Sequence, residues 1–139
     1  MEEASLRCVF PLLPDDAEYL DARGLAWETL IEEPSRWILV RHFPIPKGYT
    51  ESEADIAILL PDSYPITPLD MAYAFPTLSL ASGAHINNVD AFQSLDGRSF
   101  QRWSRHRTQA NPWRPGLDNL GTHLELIEEC FLRETKKNG

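Results

Sequence analysis

Trp37-Ile38-Leu39-Val40-Arg41-His42-Phe43 and Glu53-Ala54-Asp55-Ile56-Ala57-Ile58-Leu59-Leu60 are the stretches whose reading decides the fold. The first is dense in β-branched and aromatic residues and is ended by Pro44 and Pro46, which cannot donate to a strand ladder. In the second, Ala54, Ile56 and Ile58 alternate with Asp55, Ala57 and Leu59, the period of two that puts alternate side chains on opposite faces of a strand. Lys47-Gly48-Tyr49 turns the chain between them. Upstream, Ala26–Glu32 reads as a strand with Trp27, Thr29 and Ile31 on one face, joined to the next by the turn Glu33-Pro34-Ser35. Downstream, Pro61-Asp62-Ser63-Tyr64-Pro65-Ile66-Thr67-Pro68 is a proline-punctuated connection to a short strand over 71–75, closed by Pro76. Four such strands with short turns predict an antiparallel meander.

Helices flank this meander. Leu12-Leu13-Pro14-Asp15-Asp16 carries helix-start chemistry, with an Asp cap before a helix over 15–23 that Gly24 closes. Near the other end, Leu117, Leu120, Leu124, Ile127 and Phe131 recur at spacings 3, 4, 3 and 4, one apolar stripe of a helix. Arg133, Lys136 and Lys137 stand near its C-terminal dipole. Between meander and final helix, 77–101 has no clean period and reads as a long irregular segment, active-site-like in its place along the chain. Helix, meander, irregular segment and helix make an α+β plan in one domain, 1–139, with its core over about 14–134.

Composition limits the function. The chain has 139 residues, 42% hydrophobic and 24% charged, the balance of a globular domain. The net charge of −8 argues against attraction of the whole surface to DNA or anionic membrane. The apolar runs fall short of the roughly 20 residues of a membrane helix, and the start, MEEASLRCVF, has no basic leader; a cytoplasmic protein without membrane contact is expected. The charge is uneven. Residues 97–117 contain no Asp or Glu but hold Arg98, Arg102, Arg105, Arg107 and Arg114 with His106, leaving 21 acids against 8 bases elsewhere. Such a segment either pairs with the chain's own carboxylates or meets an acidic protein or other anion; the overall acidity makes nucleic acid the least favoured partner. Trp103 and Trp113 bracket the arginines, as core wedges or as a docking surface.

Order and residues together resemble the ubiquitin-conjugating enzyme (UBC) superfamily. Leu60-Pro61-Asp62-Ser63-Tyr64-Pro65-Ile66-Thr67-Pro68 is similar to that family's Tyr-Pro loop between its third and fourth strands. Trp113-Arg114-Pro115 is similar to the Trp-x-Pro element before its second helix. Phe43-Pro44-Ile45-Pro46-Lys47-Gly48-Tyr49, the run from Gly97 to His106, and Trp113-Arg114-Pro115-Gly116 resemble, more narrowly, the prokaryotic UBC-like family E. The resemblance implies a UBC-like fold and a place in a bacterial ubiquitin-like conjugation pathway, with a ubiquitin-like protein and an activating enzyme of the same operon as partners. Some related systems act in antiphage defence.

The superfamily's catalytic cysteine usually lies three residues after a glycine, with a His-Pro-Asn element upstream. His85-Ile86-Asn87 partly matches that element, whereas Phe100 stands three residues after Gly97. The two cysteines, Cys8 and Cys130, lie elsewhere: Cys130 on the final helix as a small buried residue, Cys8 at an edge strand or tail. A thioester needs a thiolate. The nearest hydroxyl is Ser99, which with His106 as base would carry an acyl group as an oxyester, assisted by His85 and Asn87. The expected partner surface comprises Arg98, Arg102, Trp103, Arg105, Arg107 and Arg114. The four histidines lack zinc spacing, and neither metal nor cofactor is expected. Two roles stay open: a noncanonical transferase, or a non-catalytic adaptor that binds a ubiquitin-like protein or activating enzyme. Behind them stands an arginine-dependent binder of phosphate or nucleic acid.

Overall fold

In the computed structural model, which describes residues 6–136, the alternating and β-branched runs form four consecutive antiparallel strands. They are β1 (Ala26–Glu32), β2 (Ser35–Pro44), β3 (Glu53–Leu60) and β4 (Ala72–Phe75). The β2–β3 register shifts between Val40 and Phe43, where His42 takes a φ of 53°. Trp27 packs on the main core and Thr29 is buried, but Ile31, expected on the same face, is 41% exposed.

The sheet is larger than the sequence pattern predicts. The segment read as irregular supplies β5 (Phe92–Leu95) and β6 (Arg98–Trp103), and the strand order is β1-β2-β3-β4-β6-β5. Asp96 and Gly97 join them at φ of 54° and 73°, the two positive values that a tight mirror-image hairpin turn requires and an Asp-Gly pair favours. β6 is buried on both faces, with Phe100 on one and Gln101 and Trp103 on the other, so it lacks the polar face that marks a strand by alternation.

α1 (Pro14–Ala22) starts with proline in its first turn, where the missing N–H has no intrahelical partner to lose. The expected Asp cap is absent; the cap residue is Leu13, without a side-chain bond. Asp16 turns inward instead. Its carboxylate accepts the Tyr64 hydroxyl at 2.6 Å and the Leu120 N–H at 3.3 Å, and Leu120 N–H also donates to the Tyr64 oxygen at 2.8 Å. α2 (Leu120–Lys136) begins three residues later than its periodicity suggests, leaving Leu117 65% exposed. A reciprocal cap sets that start: Thr122 N–H donates to Asn119 Oδ1 at 3.1 Å and Asn119 N–H to Thr122 Oγ1 at 3.0 Å. Leu120, Leu124, Ile127 and Phe131 are buried as the stripe requires. Arg133 and Lys136 occupy the last turn; Lys137 lies outside the described residues. Among these residues, no helix is long and apolar enough to cross a membrane.

Burying Asp16 raises its carboxyl above the ordinary 3.8, while the bond from Tyr64 holds it down. A carboxyl whose folded pKa is raised takes up protons more readily when folded, so its contribution to stability falls as pH rises through that pKa. Tyr64→Phe removes the opposing bond. It is expected to cost about 1–3 kcal/mol, with a loss that grows as pH rises from 4 towards neutrality on urea denaturation curves; an equal loss at every pH would contradict this.

Two cores result. Helices α1 and α2 cover one face of the sheet, where Leu20, Ile38, Ile56, Trp103, Leu124 and Phe131 meet. The other face buries Leu30, Trp37, Leu39, Ala57, Tyr73, Leu95 and Phe100, to which neither helix contributes. The sheet curls over them, and the hairpin tip returns to the first strand, Asp96 N–H donating to Glu32 at 3.1 Å. A closed ring of six alternating charges locks the curl. Arg7 pairs with Glu28 (2.9 Å) and Asp96 (2.8 Å), Arg41 with Glu28 and Asp55 (3.0 Å each), and Arg98 with Asp55 (2.9 Å) and Asp96 (4.0 Å). Residues 7–10 run along β1, with Thr29 N–H bonded to Arg7 O and Val9 N–H to Thr29 O.

Candidate functional site

The chain between β4 and α2 carries the residues singled out from the sequence, and the β5–β6 hairpin divides it into two loops. In the first loop Ile86 and Val89 are buried and act as anchors, while His85, Asn87 and Asn88 are exposed. Ser104 N–H bonds Asn88 O at 3.1 Å and ties the loop to the end of β6. The anchored loop forms the wall of two grooves. One, about 460 Å³, is lined by His85 with Gly83, Ala84, Asp90 and Phe92. The other, about 260 Å³, is lined by Asn87 with Asn88, Ser104, Arg105 and Arg133. His85 and Asn87 therefore face different grooves, and Ser99 lines neither.

The expected Ser99–His106 pair is not formed. Ser99 is exposed near the hairpin turn, opposite Ser94. From there β6 runs extended to Trp103, about 13 Å away at roughly 3.3 Å per residue. His106 lies three residues beyond, where its Nδ1 meets the Asp70 carboxylate at 2.9 Å. An extended strand separates the hydroxyl from its proposed base, and Asp70 holds the imidazole instead.

The arginines split by partner. Arg98 bonds Asp55 and stacks over Phe75 and Phe100, with centroids at 4.9 and 5.0 Å. Arg105 pairs with Glu134 at 3.4 Å and stacks on Trp103 at 4.7 Å. Arg107 and Arg114 share the buried Asp118 at 3.6 and 3.4 Å, whose carboxyl is pulled below its usual range by the Arg114 backbone and side-chain bonds despite burial. Self-pairing thus accounts for four of the five. Arg102, half-buried across the ladder from Tyr73, has no ion pair among the described residues, and its Nε is buried without a partner. Trp103 is 0% exposed; it is a core wedge and gives a partner nothing to touch, contrary to its place in the expected partner surface. Trp113 is half-buried, its Nε1–H donating to Pro65 O at 3.0 Å.

Cys130 is 5% exposed on α2, and burial pushes its thiol up. Cys8 is exposed and pairs through its backbone with Thr29 at the sheet edge. His123, buried on α2, donates from Nε2 to Met71 O at 2.8 Å, and burial holds its pKa below the usual value, so it is a neutral structural histidine. No group of three or more His, Cys, Asp or Glu among the described residues is placed to hold a metal. The sequence reading missed Asp16–Tyr64 and the Glu28–Arg41–Asp55 chain. The signal for the latter was available: Glu28, Arg41 and Asp55 each occupy a strand position two residues from a core side chain on the same face (Leu30, Leu39 and Ala57), where an unpaired charge is not tolerated.

Fold and site together define an α+β protein with a curled six-strand antiparallel sheet and two helices on one of its faces, its distinguishing side chains on the β4–α2 connection. The profile of Prokaryotic E2 family E matches residues 12–134. The chain belongs to that family. No curated protein and no solved structure matches it.

Proposed function

We propose that this protein is a UBC-fold, ubiquitin-conjugating-enzyme-like component of a bacterial ubiquitin-like conjugation pathway. In this reading it acts as a non-catalytic adaptor, binding the ubiquitin-like protein or its activating enzyme without carrying an acyl group. The observation that supports it most is the state of its sulfur. Cys130 is the one cysteine inside the family match, and it is buried with a raised thiol pKa, the opposite of the exposed, low-pKa thiol a thioester carrier needs. The alternative hydroxyl carrier, Ser99, has no base beside it, since His106 is held at Asp70.

The test is intact-mass analysis after incubation with ATP and the activating enzyme and ubiquitin-like protein that this reading places in the same operon. No added mass is expected on the wild type, while calorimetry shows the ubiquitin-like protein or the activating enzyme binding with an affinity that falls as salt rises. Arg102→Glu is expected to weaken that binding about tenfold, because among the described residues its guanidinium has no carboxylate partner. A reductant-resistant adduct lost in Ser99→Ala would restore the oxyester reading. An adduct lost in Cys130→Ser would overturn the structural role of that thiol.

A further inference from the structure

The two edges of the sheet are treated differently. Residues 7–10 run along β1 and occupy its outer backbone groups, Thr29 N–H bonding Arg7 O at 3.0 Å and Val9 N–H bonding Thr29 O at 3.2 Å. β5 forms the other edge. Apart from being short, it has none of the devices that blunt an edge. Phe92-Gln93-Ser94-Leu95 contains no lysine, proline or charge, and its ladder to β6 runs without a bulge. Phe92 stands 54% exposed on it.

The ladder fixes which groups face outward. Arg102 N–H donates to Ala91 O at 2.8 Å, so residues 91, 93 and 95 turn their backbone groups to β6. Those of Phe92 and Ser94, at the alternate positions, point away from the sheet. Ser94 O takes the Gln93 side-chain amide at 2.9 Å. Phe92 N–H, Phe92 O and Ser94 N–H have no partner among the described residues. Phe92 lies opposite Gln101, so both side chains stand on the face that the helices cover. Both line the groove of about 460 Å³ beside the edge, a size usual for clefts that take ligands. Leu80 and Ile86 give that groove buried apolar walls. Asp90 also lines it, exposed and without an ion pair among the described residues, and no Lys or Arg is among the lining side chains.

We infer that β5 accepts an extended internal segment of a partner protein as an added strand, with an aromatic or large apolar residue opposite Phe92 and a basic residue beside Asp90. Open backbone donors and an acceptor along one edge call for a chain of amides, which neither a free ion nor a small apolar ligand supplies. Strand addition takes its affinity from such main-chain bonds and its specificity from pockets for alternate side chains. The added strand is antiparallel, like every pair of strands in this sheet. Its residue opposite Phe92 stands on the same face and reaches the groove. The residue two positions further toward its C-terminus comes beside Asp90, whose unpaired carboxylate selects a cation. This surface does not rest on the adaptor reading, since it binds neither chain end and holds no acyl group.

The experiment is a ¹H–¹⁵N NMR titration of the full chain with acetyl-Thr-Thr-Phe-Thr-Lys-amide, which carries this pattern and is blocked at both ends. The comparison peptides have the Phe nitrogen methylated or the Lys replaced by Glu. The parent peptide is expected to give saturable shifts at the amides of Phe92 and Ser94. Methylation removes the N–H that donates to Phe92 O and should weaken binding at least tenfold. The Glu peptide should bind about fivefold more weakly at low salt. Asp90→Asn, at an exposed site, should remove that difference with the rest of the spectrum unchanged. No saturable shift at Phe92 and Ser94, equal binding of the methylated peptide, or a Lys-to-Glu effect that is absent or survives Asp90→Asn would overturn the inference. Sedimentation velocity over a range of protein concentrations tests the other occupant. A dimer that is lost in Ser94→Pro, with the parent peptide unbound, would assign the edge to a second copy and overturn the inference as well.

Discussion

Trp103→Ala is expected to lower the unfolding free energy by about 3–5 kcal/mol, the range for deleting a large buried aromatic. The indole is 0% exposed. It meets Phe131 edge-on with ring centroids 4.8 Å apart and Tyr49 at 6.4 Å, so its loss opens a cavity between β6 and α2. Its Nε1–H donates to Gln101 Oε1 at 2.9 Å, the atom that also accepts Leu78 N–H at 2.9 Å. The substitution therefore also weakens the bond network that holds the start of the first loop against β6. Urea denaturation followed by far-UV circular dichroism measures it. A loss below about 1 kcal/mol would mean that Trp103 is a surface residue and that the β6–α2 packing is wrong.

The ring of charges carries the second large effect. Glu28 is 3% exposed and sits between Arg7 and Arg41. Arg7, by its hydrogen bonds first and its charge after, holds the Glu28 carboxyl down to about 2 from the ordinary 4.5. A carboxyl depressed on folding stabilises the protein above its unfolded pKa, and that contribution is lost as pH falls through the folded value. At about 1.36 kcal/mol per unit, Glu28 contributes about 3 kcal/mol at neutral pH. It disappears between about pH 4.5 and 2. Arg7→Ala removes its main partner and is expected to cost about 2–3 kcal/mol at pH 7 and progressively less below pH 4, because the buried charge it leaves is neutralised by protonation. The same variant frees Asp96 and with it the hairpin tip, so the Thr29 and Asp96 amides are expected to exchange with deuterium faster than those of β3. A cost that does not change with pH, or unaltered exchange at Asp96, would show that the ring does not close the curl.

Where one physical signal was enough to set local structure, the sequence could be read directly. The bounds of β1 and β3, the buried stripe Leu120, Leu124, Ile127 and Phe131, and the burial of Cys130 follow from periodicity and from prolines that end ladders. Family membership was also legible, from motifs spread over nearly the whole chain. The long middle segment was not, because a strand buried on both faces has no alternation, although Asp96-Gly97 marked the hairpin. Tertiary structure decided what became of the charges. Arg98, Arg105, Arg107 and Arg114 sit in a run without acids; Asp118 lies four residues after Arg114 and pairs with it locally, whereas Asp55 of β3 and Glu134 reach Arg98 and Arg105 only once the chain folds back. Ser99 and His106 are seven residues apart in sequence, but β6 is extended and keeps them apart in space. Distance along a chain sets the period of an element; whether two polar groups meet depends on where each element is packed, and that is determined by burial of the two cores.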